Sequence, residues 1–119
     1  APTFIYQLPP YHGFVYNATN VSISCRVECN PMCNVSWSKN NKPIDVNSND
    51  SLYYVTTAHL RPDTGTSDFE SIQSNLTWNL SRWPNGQLDR YKDNDNFTCE
   101  STGNGIGLGV KSTTYFQVE

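Results

Sequence analysis

The stretch Val21-Ser22-Ile23-Ser24-Cys25-Arg26-Val27 decides the fold, because apolar and polar side chains alternate along it. The apolar residues and the cysteine occupy its odd positions, and the serines and the arginine occupy its even positions. A period of two is typical of a β-strand with one buried face. The stretch therefore predicts a strand whose Cys25 points into a core.

Two later stretches show the same alternation. Val35 and Trp37 share one face of the stretch at 34–38, and Phe97 and Cys99 share one face of the stretch at 96–100. Each pattern predicts a further strand with its apolar residues directed inward. Cys25 and Cys99 can therefore meet inside the core, although four cysteines allow three pairings and spacing alone does not choose among them.

Length and composition place these strands in one all-β domain. The 119 residues match the size of a single compact domain, and the 7 Tyr, 5 Phe and 3 Trp favour strands over helices. The net charge is −3 and the 8 Lys and Arg are scattered, so we expect no nucleic-acid or anionic-lipid surface. No run approaches the roughly 20 apolar residues of a membrane span, so direct membrane insertion of this segment is not expected. Because the chain starts at Ala1 without an initiator Met or an apolar leader, we expect a processed piece of a longer protein.

Two features around the first tryptophan resemble the immunoglobulin superfamily. Cys25, Trp37 and Cys99 occur in that family's order, with Trp37 at a spacing of 12 from Cys25 (37 − 25 = 12). The stretch from Trp37 to Ile44 resembles the family's W-x-K-x-G-x-x-I motif, with Asn41 where glycine is usual. Asparagine tolerates the left-handed turn that this position requires.

A third feature lies before the last cysteine. The stretch from Asp93 to Cys99 is similar to the family's D-x-G-x-Y-x-C motif, but Phe97 replaces the tyrosine. The hydroxyl bond of a tyrosine corner therefore cannot form here. The resemblance implies an all-β fold, an immunoglobulin-like two-sheet antiparallel Greek-key sandwich, with residues 1–119 as a single immunoglobulin-like domain from a tandem array. We favour the I-type frame with long loops, and the variable type stays open.

Shorter patterns predict the rest of the frame. Further strands are expected at residues 3–7, 14–17, 51–59, 75–80 and 110–118. Long loops are expected at 59–68 and 82–92. Trp83 lies in the second loop among polar residues, so its side chain is expected at the surface. The side chains singled out for the core are Trp37, Leu76, Trp78 and Phe97.

The segment Cys29-Asn30-Pro31-Met32-Cys33 follows the first buried strand. Because Pro31 bends the short spacer, a local disulfide is expected, which gives the pairings Cys25–Cys99 and Cys29–Cys33. The alternative is a metal site, since Cys25, Cys29 and Cys33 are four apart and would align along a helix. The strand pattern and Pro31 oppose that helix, so we expect no metal and no other cofactor.

Seven N-x-S/T sequons indicate a secreted or cell-surface chain, because glycosylation and disulfides belong to the same oxidising compartment. They begin at Asn17, Asn20, Asn34, Asn49, Asn75, Asn79 and Asn96. The alternative is that a chain rich in Asn, Ser and Thr forms sequons by chance. Those in strands fall on outward positions of both sheets, so occupied sites would disfavour a broad interface on a sheet face.

Catalytic signals are thin. His12 and His59 are the two histidines, and neither lies in a recognisable pattern with a nucleophile. Asp89, Asp93 and Asp95 cluster and could be imagined as calcium ligands or as an acid–base pair, but their spacing is not that of an EF-hand loop. We therefore expect a non-catalytic domain.

The expected function is protein recognition by a cell-surface adhesion or immune or neuronal receptor, in the extracellular space. The alternatives are a glycosylated structural spacer and an accessory domain of a receptor kinase or a secreted enzyme. Expected partners are a protein ligand or a homophilic partner on another cell, together with neighbouring domains of the same chain. Contacts are expected on two loops, the clamped loop (28–33) and the glycine loop (102–108). Their candidate binding residues are Met32, Asn104, Ile106 and Leu108.

Overall fold

The computed structural model describes residues 1–63, 65 and 69–119. The described strands are β1 (Thr3–Tyr6), β2 (Tyr11–Phe14), β3 (Ser22–Glu28), β4 (Val35–Lys39), β5 (Lys42–Pro43), β6 (Tyr53–Leu60), β7 (Ser71–Trp78), β8 (Asp95–Ser101) and β9 (Lys111–Val118). Two short 3-10 helices, Leu80–Arg82 and Pro84–Gly86, lie between β7 and β8. Residues 64 and 66–68, part of the long loop predicted at 59–68, lie outside the described residues.

The strands form two sheets, with the orders β1-β3-β7-β6 and β2-β9-β8-β4-β5. This confirms the all-β two-sheet sandwich that the sequence predicts. The described pairings are antiparallel except that of β2, which runs parallel to β9. Residues 44–52, which join β5 to β6, contain no strand.

The strand predicted at residues 14–17 differs in position. It is β2, Tyr11–Phe14, and therefore starts earlier. The carbonyl of Pro10 accepts a hydrogen bond from the Tyr115 N–H at 3.0 Å, so pairing with β9 begins immediately after the prolines. Proline lacks the donor of a ladder but keeps its acceptor, which explains the earlier start.

The strand predicted at 75–80 is also displaced and is Ser71–Trp78. Leu80 begins a 3-10 helix instead, although its side chain packs against the core. The early start reflects β6, whose Leu60 lies opposite Ser71 and extends the pairing beyond the apolar pattern. The predicted strand at 110–118 is Lys111–Val118.

The main core lies between the sheets. Trp37, Leu76, Trp78 and Phe97 all belong to it, with exposed fractions of 4%, 0%, 3% and 0%. Trp37 also donates from Nε1 to the Ser74 Oγ at 2.8 Å, so the polar edge of the indole is satisfied inside the core.

Trp83 corrects a prediction, because its side chain is 9% exposed and packs in the main core. Its ring meets the Tyr53 ring edge-on at a centroid distance of 5.7 Å. Its Nε1 donates to the Asp93 Oδ2 at 3.2 Å. The loop carries Trp83 as predicted, but it folds the indole inward, where both its ring and its N–H find partners.

The side chains of Asp93 and Asn94 hold the turn before β8, where the hydroxyl of the family's tyrosine corner is missing. The Asp93 Oδ2 accepts from the Asp89 N–H at 2.6 Å as well as from the Trp83 indole. The Asn94 Oδ1 accepts from the Val118 N–H at 2.7 Å, and its Nδ2 donates to the Arg90 carbonyl at 2.9 Å. These bonds connect the loop before β8 to the end of β9.

Candidate functional site

Both predicted disulfides are confirmed. Cys25–Cys99 joins β3 to β8 across the core, with the Cα atoms 6.6 Å apart. Cys29–Cys33 closes the clamped loop, with the Cα atoms 6.1 Å apart. All four thiols are oxidised, so the thiolate ligands of the metal alternative do not exist in this state. Within residues 1–63, 65 and 69–119, no group of three His, Cys, Asp or Glu side chains is arranged so that it could hold a metal ion.

The clamped loop rests on a small core of its own. Val27, Cys29, Cys33 and Ile72 are buried together there. The Cys29 N–H donates to the Glu70 carbonyl at 3.3 Å, which attaches the loop to the segment before β7. The disulfide is therefore buried beneath the loop rather than displayed on it.

The clamped loop and Asn34, the residue that follows it, are bonded to the glycine loop at three points. The Asn104 Nδ2 donates to the Pro31 carbonyl at 2.9 Å. Below it, the Thr102 N–H donates to the Asn34 carbonyl at 2.8 Å, and the Asn34 N–H donates to the Thr102 Oγ1 at 3.0 Å. The two loops thus form one surface at one end of the sandwich, which we call the clamped end.

Asn104 shapes the glycine loop from inside. Its Oδ1 accepts from the N–H groups of Ile106 and Gly107 at 3.2 and 3.1 Å, and its own N–H donates to the Gly107 carbonyl at 3.2 Å. Gly105 takes a φ of +84°, which L side chains rarely adopt. Asn104 is half-buried, so the structure places this predicted binding residue as the support of the loop.

The other predicted binding residues are exposed at the clamped end. Met32, Ile106 and Leu108 have exposed fractions of 39%, 68% and 89%. They lie on two loops that are bonded to each other, and an exposed apolar surface marks a contact site. These three are therefore the apolar content of the candidate site.

Sequence reasoning missed one apolar neighbour of this site. Phe69 is 48% exposed and lines a cavity of about 280 Å³ together with Met32 and Pro62. The only sequence signal was a single Phe in a polar stretch, between Asp68 and Glu70. Such a residue has no periodicity with which to place it.

The beginning of the chain also lies at the clamped end. A Cβ atom built on Gly107 would stand 2.4 Å from the Ala1 Cβ and 2.9 Å from the Ala1 Cα. Gly107 therefore allows residue 1 to pack directly on the glycine loop. Pro2, the next residue, is buried.

The histidines lie in different sheets. His12, in β2, stacks on Phe14 at a centroid distance of 4.7 Å, and burial lowers the pKa of its imidazole below the usual 6.5. His59 lies on β6 and is exposed. The structure therefore does not bring the two titratable rings into one site.

The three aspartates at 89, 93 and 95 each accept a hydrogen bond from a nearby backbone N–H group. Asp89 accepts from the Tyr91 and Lys92 N–H groups at 2.7 and 3.1 Å, bonds that lower the pKa of its carboxyl. Asp93 accepts from Trp83 and Asp89, as described above. Asp95 accepts from the Asn96 N–H at 2.7 Å. Each carboxylate is engaged locally, in the manner of turn residues.

The sequons lie at the surface. Exposed asparagines are found at Asn17, Asn20, Asn34, Asn49 and Asn96, and half-buried ones at Asn75 and Asn79. Asn75 lies on the outer face of its sheet, where its Nδ2 donates to the Thr56 Oγ1 at 3.2 Å. Glycosylation at these positions stays a prediction.

No described helix is both long and apolar enough to cross a bilayer. No family model and no curated protein matches the sequence.

Solved structures do resemble this chain. A chimeric titin Z1Z2 is similar over 99% of this chain and 94% of its own, with 16% identity and a TM-score of 0.65. The N-terminal Ig1-2 module of the Drosophila receptor protein tyrosine phosphatase DLAR is similar over 99% and 48%, with 17% identity and a TM-score of 0.61. The N-terminal eight Ig domains of Down syndrome cell adhesion molecule are similar over 99% and 14%, with 17% identity and a TM-score of 0.66. At such identities the likeness shows the fold.

Proposed function

We propose that this chain, an immunoglobulin-like domain, is a non-catalytic protein-recognition module of a cell-surface adhesion or recognition receptor, and that it contacts its partner through the clamped end. Two adhesion or receptor proteins are among the similar structures, and the sequons and disulfides suit an extracellular setting. The observation that carries the proposal is the rigid, partly apolar surface formed by the two joined loops.

Rigidity favours binding because less conformational entropy is lost when the partner is ordered against the surface. The Cys29–Cys33 disulfide fixes one loop, and the Asn104–Pro31 hydrogen bond fixes the other against it. The backbone of both loops is therefore held before any partner arrives.

The surface offers apolar side chains on this fixed base. Met32, Ile106 and Leu108 project from it, and the cavity beside Phe69 provides a recess next to them. A well-packed apolar centre of this kind supplies most of the binding energy in protein interfaces. With a net charge of −3, long-range steering contributes little.

The test replaces apolar side chains at the clamped end and measures binding of the chain to an array of purified extracellular domains. Met32→Asp and Ile106→Lys should abolish binding while far-ultraviolet circular dichroism and melting temperature stay unchanged. Tyr91→Asp, at a side chain that is 91% exposed and lies outside both loops, is the matched control and should bind normally. Unchanged binding by the two clamped-end variants would refute this assignment of the surface.

The second candidate is a junction with a neighbouring domain, because Ala1 packs on Gly107 at the same end. A domain attached before Ala1 would meet the two loops, and the disulfide would then stiffen the junction. In a two-domain version of the chain, the same substitutions would increase interdomain flexibility measured by small-angle X-ray scattering. A flexibility change with unaltered partner binding would favour the junction over recognition.

A further inference from the structure

Among the strands that the structure describes, none pairs with the outer edge of β6. β6 is the last strand of its sheet, and none of residues 1–63, 65 and 69–119 forms a strand beside its outer edge. The Asn79 N–H donates to the Leu52 carbonyl at 2.8 Å, which shows that the even-numbered residues turn their backbone groups toward β7. Because these directions alternate along a strand, the odd-numbered residues turn their N–H and C=O groups outward. These residues are Tyr53, Val55, Thr57 and His59.

This edge lacks the features that usually protect edge strands. Edge strands are commonly short or carry Lys, other charges or Pro, which discourage pairing with another chain. β5 is two residues long and reads Lys-Pro, and β1 and β2 are four residues long. β6 has eight residues with no Lys, Arg, Asp, Glu or Pro. It is therefore the edge that is best suited to accept another strand.

We propose that the occupant of this edge is β6 of a second copy of the chain, paired antiparallel about a two-fold axis at Thr56. In that register Tyr53 lies opposite His59 of the second copy, and Val55 lies opposite its Thr57. All four outward-facing residues then form hydrogen-bonded pairs, about eight bonds in total. The strand is thus complementary to itself over its length.

Charge at the strand ends favours the same antiparallel pairing. Asp50 precedes β6 and Arg61 follows it. The Asp50 Oδ1 lies 4.0 Å from the Arg82 Nη1, and the Asp50 side chain is 98% exposed. Antiparallel pairing brings Arg61 of one copy to the Asp50 end of the other. Each copy has a net charge of −3, but β6 contains no Lys, Arg, Asp or Glu. Like charges therefore do not face each other along the paired strands.

An apolar cavity lies beside this edge. It has a volume of about 230 Å³ between β4 and β6, and its lining includes Trp37, Ile44, Val46 and Val55. A second strand against β6 would shield the cavity from solvent, adding apolar burial to the backbone bonds. Asn75 lies on the outer face beside Thr56, so a glycan there would rise from the sheet face rather than lie along the edge.

The first test is disulfide trapping with Thr56→Cys, since all four native cysteines are already paired. At the axis the two introduced residues form a non-hydrogen-bonded pair with Cα atoms about 4.5 Å apart, within disulfide range. Mild oxidation should give a covalent dimer on a non-reducing gel. Ala58→Cys is the control, because its two copies lie about four residues out of register and should crosslink at least tenfold less. Equal crosslinking of the two variants, or none, would overturn the proposal.

The second test removes an outward N–H group. Thr57→Pro deletes the donor that faces the second copy and leaves the bonds of β6 to β7 in place, since proline is tolerated where an edge N–H faces solvent. The Thr56→Cys crosslink should be lost when Thr57→Pro is added and kept with Thr57→Val. A crosslink that survives Thr57→Pro in a folded protein would contradict strand pairing.

The pairing of β6 with a second copy and the binding surface at the clamped end can be tested independently. Met32→Asp and Ile106→Lys lie at the clamped end and should leave the Thr56→Cys crosslink unchanged. Loss of the crosslink in those variants would place self-association at the clamped end and overturn the β6 assignment. If Thr56→Cys fails to crosslink while Thr57→Pro weakens binding to the domain array, the edge accepts a strand of another protein and the second-copy proposal is wrong.

Discussion

The two ends of this sandwich are closed in different ways. At the end opposite the clamped end, which we call the aromatic end, five rings pack together with neighbouring centroids 4.6 to 6.0 Å apart. They belong to Tyr53, Trp78, Trp83, Phe97 and Phe116. At the clamped end the buried group is small, and a disulfide takes the place of large side chains.

The contrast separates the side chains that stabilise the domain from those that it exposes to solvent. Large buried rings stabilise the aromatic end through their area, so any truncation there leaves a cavity. The clamped end gains its order from a covalent link and from hydrogen bonds between loops. Its large apolar side chains are therefore free to remain exposed, which is the arrangement that a binding surface needs.

The largest effect should come from the aromatic end. Trp83→Ala should lower the free energy of unfolding by about 3 kcal/mol, because it removes a buried ring and leaves the Asp93 carboxylate without one of its donors. Urea denaturation measures the change. Tyr91→Ala, at an exposed side chain on the same connection, should change stability by no more than about 0.5 kcal/mol.

A conservative variant separates the contribution of the Trp83 ring from that of its indole N–H. Trp83→Phe keeps an aromatic ring against Tyr53 but removes the indole N–H, so it should cost about 1 kcal/mol. A Trp83→Ala variant as stable as Tyr91→Ala would mean that the aromatic end closes without Trp83.

The sequence predicted the part of this comparison that depends on alternation. Cys25, Trp37 and Cys99 lie in strands of period two, so their inward direction could be derived before the structure was known. The Cys25–Cys99 disulfide and the sandwich were predicted in this way, with the help of the family's motif. The pairing of Cys29 with Cys33 followed from their short spacing and the bend at Pro31.

The two aromatic side chains whose contacts the sequence did not predict, Trp83 and Phe69, lie outside strands, where no period applies. Trp83 lies among polar residues in the sequence. Its burial depends on Tyr53, 30 positions earlier (83 − 53 = 30), and on Asp93, 10 positions later (93 − 83 = 10). Phe69 lines a cavity with Met32, 37 positions earlier (69 − 32 = 37), and no local pattern records that contact. Tertiary contacts of loops therefore had to come from the structure.

A smaller effect is expected from opening the clamp. The double variant Cys29→Ala with Cys33→Ala should lose about 2 kcal/mol, because the closed loop is short and restrains the unfolded chain only modestly. Chemical denaturation measures the loss. Met32→Ala lies inside the same loop and serves as control, with an expected change below about 0.5 kcal/mol.

The same variant tests whether the clamp orders the surface. Without the disulfide, amide order parameters measured by NMR at residues 30–32 and at Asn104 should fall together, since the Asn104 Nδ2 bonds the Pro31 carbonyl. Order lost in the clamped loop alone would show that the two loops are independent.

The smallest expected effect is a decline in the stability of the folded chain at high pH, caused by the buried Tyr53 phenol of the aromatic end. Burial, and after it the negative charges of Asp93 and Asp95, raise the pKa of the Tyr53 phenol above its usual 10.0. Above pH 10 the phenol therefore ionises in the unfolded chain before it does so in the folded chain. Its contribution to stability is full below pH 10 and declines as pH rises, at no more than about 1.4 kcal/mol per pH unit.

Tyr53→Phe should remove this decline, because phenylalanine keeps the ring and has no proton to lose. Urea unfolding between pH 9 and 11 should show a shallower fall of stability for Tyr53→Phe than for the unaltered chain. Tyr91→Phe, at the most exposed tyrosine among the described residues, should follow the unaltered chain. Parallel curves for all three proteins would mean that solvent reaches the Tyr53 hydroxyl and that the aromatic end is wetter than its packing indicates.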